Sequence, residues 1–160
     1  MTDTLEFGPL FRPGERNIAG SGYKSERRSL DFVVNGQSLF KLLRAANRDL
    51  VGALGWGQPS WQRVLIDQLL LRAAAPIPGG RQPLFVCAEC GDLGCGALTA
   101  QVQRAGATVV WRDFKFENNY DPSMTDAASF GDIGPFAFEW TKYQQLLETT
   151  LAETPTGQAG

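Results

Sequence analysis

A chain of 160 residues with 43% hydrophobic and 20% charged residues has the balance of an ordinary globular protein, long enough to bury a core without disulfide or metal staples. Its 15 Lys and Arg against 17 Asp and Glu leave a formal charge of −2, which argues against a nucleic-acid-binding domain of the usual basic kind. No run approaches the roughly 20 apolar residues of a membrane span, and the N-terminus lacks the layout of a signal peptide; an odd number of cysteines, three, then points to a reducing cytoplasm.

The default is one domain over residues 1–160. Residues 1–22, rich in Gly, Pro and charge, read as a loosely ordered arm with at most a short edge strand at 5–7. Residues 30–34 form a better strand, and Asn35-Gly36 is a strong hairpin signal that returns the chain briefly through 37–40. Ser38 can cap a helix whose stripe is Leu39, Leu42, Leu43, Ala46 and Leu50. Glycines and Pro59 break the chain over 52–59, with Trp56 closing one end of the core. Ser60 caps a second helix with Trp61, Val64, Leu65 and Leu69 on its apolar side, and Pro76, Pro78, Gly79 and Gly80 end it.

Residues 84–116 organise the rest. A short apolar run at 84–88 suits a central strand. From 96 to 104, Leu98, Ala100 and Val102 alternate with Thr99, Gln101 and Gln103. After a turn at Arg104-Ala105-Gly106, residues 108–116 alternate again, with Val110, Phe114 and Phe116 expected inward and Val109, Trp111, Asp113 and Lys115 outward. Two short connections between three strands demand antiparallel pairing, because parallel neighbours need a long crossover. Residues 117–134 lack any period and read as a long loop. Phe136-Ala137-Phe138 is a last strand, and Thr141 caps a final helix striped by Tyr143, Leu146, Leu147 and Leu151. Residues 153–160 read as a disordered polar tail. The expected fold is α+β: an antiparallel β-meander with hairpins and about three helices packed on one face.

All three cysteines lie in the first turn of the meander, as Cys87-Ala88-Glu89-Cys90 followed by Gly91-Asp92-Leu93-Gly94-Cys95. If Gly91 to Gly94 make a hairpin loop, Cys90 and Cys95 become opposed cross-strand neighbours. Three readings stay open: small buried hydrophobes beside a turn, a zinc knuckle, and a thiol redox site. Zinc wants four ligands, and the chain has no histidine and no fourth cysteine, so Asp92, Glu89 or a second subunit would complete Cys87, Cys90 and Cys95. Thiol chemistry needs one reactive and one resolving thiol, for which Arg81 and Arg112 are the cations the sequence suggests.

The run Arg81-x-Pro83-Leu84-x-Val86-Cys87-x-x-Cys90-Gly91-Asp92-x-Gly94-Cys95-Gly96-Ala97 resembles a motif of small bacterial proteins often labelled generically "oxidoreductase". The likeness continues through residues 110–114, 117–120 and 133–138 and fades over the first 60 residues. It implies a small bacterial protein, serves as a family label and not as evidence of mechanism, and carries over no catalytic residue.

Without histidine, acid–base work near neutral pH would need a strongly shifted group of another kind. The chain holds no P-loop or dinucleotide glycine pattern and no G-x-S-x-G elbow. The balance favours a non-enzymatic binding protein, immunity-like or adaptor-like, that docks a protein partner through Trp111, Asp113, Glu117, Asn118, Asn119 and Tyr120 at the mouth of the long loop. A thiol oxidoreductase and a zinc-knuckle protein remain the alternatives.

Overall fold

The computed structural model describes residues 2–16, 23–117 and 130–154. Its strands are β1 (Leu5–Arg12), β2 (Glu15–Arg16), β3 (Tyr23–Lys24), β4 (Arg27–Val34), β5 (Gln37–Ser38), β6 (Leu50–Gly52), β7 (Arg81–Cys87), β8 (Ala97–Ala105), β9 (Thr108–Glu117) and β10 (Phe136–Glu139). Three α-helices accompany them: α1 (Leu39–Leu42), α2 (Pro59–Leu69) and α3 (Trp140–Glu153). Five strands form one sheet in the order β10-β9-β8-β7-β6, three form a second in the order β1-β4-β5, and β2 pairs β3. Every ladder between these strands is antiparallel, so the expected α+β meander is what forms. Among the described residues no helix is long and apolar enough to cross a membrane.

The N-terminal arm is instead a full strand. Leu5–Arg12 pairs with β4 along its whole length. Gly8-Pro9 and Pro13-Gly14 disguise it in the sequence, yet β1 is an edge strand, where a proline lacking its N–H breaks no ladder. The first helix is also shorter than its stripe suggests. Ser38 caps it through the Lys41 N–H, but Arg44 adopts φ +52° and a 3-10 turn follows at Ala45–Arg48. Asp49, at φ +55°, then sends Leu50–Gly52 out as β6 along the edge of β7. Leu50 is buried as a strand residue, while Ala46 is exposed. In α2, Gln58 and Pro59 replace Ser60 as the starting point. Gln62 is buried because it bonds the Gly55 N–H and the Ala53 carbonyl, and Val64 faces solvent. The last helix likewise starts two residues early, with Glu139 at its N-cap and not Thr141.

The two sheets meet where β4 crosses β6. The Leu30 N–H donates to the Leu54 carbonyl, and a Cβ at Gly52 would lie 1.9 Å from the Leu30 carbonyl oxygen, so only glycine fits there. In the middle stands Trp111, fully buried, with Phe32, Phe138 and Tyr143 edge-on around it at centroid distances of 5.4, 5.3 and 6.1 Å. Its indole N–H donates to the Tyr143 hydroxyl (3.3 Å), which donates to the Leu69 carbonyl of α2 (2.6 Å). Both polar tips are thus satisfied inside the core, and α2 and α3 are tied to β9 through one aromatic column.

This corrects the expected facing of β9. Thr99 pairs with Lys115 and Gln101 with Arg112, so β9 carries one extra residue there. Asp113 takes it up at φ +57°. A bulge reverses the parity of everything beyond it: Val109 and Trp111 point inward before it, Phe114 and Phe116 after it.

Candidate functional site

Strand β7 ends at Cys87, whose backbone neighbour across the sheet is Leu50 of β6. The chain then curls. The Gly91 N–H returns to the Cys87 carbonyl (2.9 Å), the Asp92 N–H points at the Cys90 sulfur (3.4 Å), and Asp92 Oδ1 accepts the Gly94 N–H (2.8 Å) to cap a 3-10 turn over Leu93–Cys95. Gly96 closes the turn at φ +91° with Phe116 against it. A Cβ there would lie 2.1 Å from the Phe116 ring, so a side chain would force the turn off the sheet. Cys90 and Cys95 are therefore not cross-strand neighbours in a hairpin; a compact knuckle brings them together.

The result is a cluster of three free thiols whose sulfurs all lie within 4.8 Å of one another. Cys90 Sγ and Cys95 Sγ are 3.6 Å apart, with both residues exposed and Cys87 half-buried beneath them. A disulfide would need about 2.05 Å, whereas two thiolates on one tetrahedral zinc, at bonds of about 2.3 Å, would stand about 3.8 Å apart. The spacing excludes a formed disulfide and is compatible both with an S–H···S hydrogen bond and with two ligands of one ion.

The electrostatics separate the thiols. Burial opposes charge on Cys87, but the backbone N–H groups of Cys90 and Glu89, with the Cys90 and Cys95 thiols, outweigh it and hold this thiol below its ordinary value. Cys95 is pushed up to about 12, first by its hydrogen bond with Cys90, then by burial and the charge on Cys87. Sulfurs this close resist joint ionisation until a cation sits among them. The three cysteines thus form a group able to hold a metal ion.

The knuckle is gripped from outside by residues the sequence did not indicate. Glu89 accepts from Arg12 Nη1 (2.6 Å) and from the Ser25 N–H and hydroxyl (3.2 and 2.8 Å). The same Arg12 makes a two-point ion pair with Asp49 (3.0 and 2.8 Å). Arg27 donates to the Ala88 carbonyl (2.8 Å) while its guanidinium lies 4.2 Å over the Trp56 ring, itself edge-on to Trp61. Both residues between Cys87 and Cys90 are thereby held by β1 and β4. Glu89 is committed to this clamp and Asp92 to its cap, so the group of close ligand atoms contains no carboxylate among the described residues. Arg12 and Glu89 are 77 positions apart, and no local pattern announces such a pair.

The expected docking surface fares differently. Trp111 is fully buried and serves the core. Asp113 and Glu117 both turn to Arg81, whose side chain is 5% exposed: Nη2 meets Asp113 Oδ2 at 2.6 Å and Nε meets Glu117 Oε1 at 3.4 Å. Arg81 also donates to the Thr99 hydroxyl (3.1 Å), which makes Thr99 a buried residue despite its outward parity. Arg81 is thus far from serving the thiols, and Arg112 bonds Gln103. Asn118, Asn119 and Tyr120 lie outside the described residues.

No known family model matches this chain, and no curated protein or solved structure is significantly similar to it. The functional reading stands on the geometry of the site.

Proposed function

We propose that this is a metal-binding protein whose ligand is a thiophilic divalent cation, zinc first, held by Cys87, Cys90 and Cys95 on the knuckle. The observation that carries the reading is the gathering of three free sulfurs within 4.8 Å, two of them at the spacing of zinc-bound thiolates. The backbone N–H groups of Glu89 and Cys90, which favour the Cys87 thiolate, and the Asp92 N–H directed at the Cys90 sulfur support it. The Arg12–Glu89–Ser25 clamp ties the turn that carries these thiols to β1 and to the segment before β4. With Cys87, Cys90 and Cys95 as the ligands among the described residues, a tetrahedral ion would need a fourth donor from outside this group.

Reduced protein loaded with zinc and passed through a desalting column should keep one ion per chain by elemental analysis. Serine at Cys87, Cys90 or Cys95 should each remove it, with the circular dichroism of the fold retained. Zinc retained in all three variants, or none in the unsubstituted chain, would sink the proposal.

A further inference from the structure

We infer that Cys90 and Cys95 form a dithiol–disulfide pair that a hydroperoxide closes and a dithiol reductant reopens, so that the same knuckle releases its ion on oxidation. The release rests on the metal reading; the crosslink does not. Three observations select this pair. Their sulfurs are 3.6 Å apart, and rotation of the two side chains has to shorten this to about 2.05 Å. Both residues are exposed, so an oxidant can reach either one. Cys87, by contrast, ends a sheet strand and is half-buried, so an oxidant reaches it less readily than the two exposed thiols.

The chemistry balances without any further reactant. One thiolate sulfur attacks a peroxide oxygen; the O–O bond breaks and the leaving oxygen departs as water after taking a proton. The sulfenic acid left behind is attacked by the other sulfur, the S–S bond forms, the S–O bond breaks and a second water leaves. Two thiolates, one hydroperoxide and two protons become one disulfide and two waters. If the hydroperoxide is organic, an alcohol takes the place of the first water. Two of the three ligands vanish in this step, and one thiolate cannot retain a divalent ion.

The test uses the full chain, reduced, in zinc-loaded and zinc-free forms, titrated with hydrogen peroxide. Proteolysis after Glu89 and Asp92 places each cysteine on its own fragment, so the crosslink can be assigned by mass. The expected product is an intramolecular Cys90–Cys95 bond, lighter by two hydrogens and reversed by dithiothreitol, with one zinc released to a chromogenic chelator per bond formed. Cys87→Ser should still form the bond; Cys90→Ser and Cys95→Ser should not. A bond to Cys87, a crosslink between chains, or sulfinic acid in place of a crosslink overturns the inference. A Cys90–Cys95 bond in protein that never retained zinc supports the thiol pair and overturns only the release and the metal reading.

Discussion

Two polar regions of this molecule look alike in sequence and end in opposite states. The cysteine knuckle and the corner where Arg81 of β7 meets Asp113 and Glu117 of β9 each set reactive or charged side chains beside glycine or strand residues of the same meander. At the corner, Arg81 pairs with Asp113 and Glu117 and donates to Thr99 within its own sheet. At the knuckle the polar side chains that do the holding come from elsewhere, Arg12 from β1 and Arg27 from β4, and the three thiols are left close together with no disulfide between them. A cluster that satisfies itself is architecture. A cluster held by others, with its own sulfurs gathered together, is where the proposed site lies.

The largest effect should come from the residue that belongs to neither region although its position suggests the second. Trp111→Ala should cost about 3–5 kcal/mol by removing the aromatic column at the centre of the core. Urea denaturation measures it; a loss below 1 kcal/mol would return Trp111 to the surface. Next is Arg81→Ala. Breaking a fully buried ion pair costs about 3–5 kcal/mol, and with Asp113 half exposed we expect about 2–3 kcal/mol. Zinc stoichiometry of the folded fraction should be unchanged, and its loss would mean the two regions are coupled.

Glu89→Gln should show the reverse pattern. Its charge is spent on Arg12 and Ser25 at a mostly exposed place, so stability should move by less than about 1 kcal/mol. Zinc affinity should fall about ten-fold or more as the turn loosens, measured by chelator competition. Equal affinity would show that the knuckle needs no clamp. The smallest effect concerns acid. The hydrogen bond from Arg12 holds the Asp49 carboxyl below the usual carboxylate range. That contribution is complete above the ordinary carboxylate pKa of about 4 and is lost as pH falls through the lowered value in the folded protein. Thermal unfolding below about pH 4 should therefore decline less steeply in Asp49→Asn than in the unsubstituted chain, with the two parallel near neutrality.

Sequence alone determined what depends on neighbours in the chain. Asn35-Gly36 specifies its hairpin because both residues accept positive φ. The short connections around β8 leave antiparallel pairing as the sole option, and the cysteine spacing confines three sulfurs to one turn. Tertiary structure decided the rest. Leu5–Arg12 becomes a strand because β4 offers a whole edge, and Leu50–Gly52 leaves its helical stripe because β7 offers another. Asp113 takes up the extra residue of a bulge and so turns Trp111 from the expected surface into the core. Whether a thiol or a carboxylate is spare depends on which cation arrives from 77 or 32 residues away, and a local period carries no record of that distance.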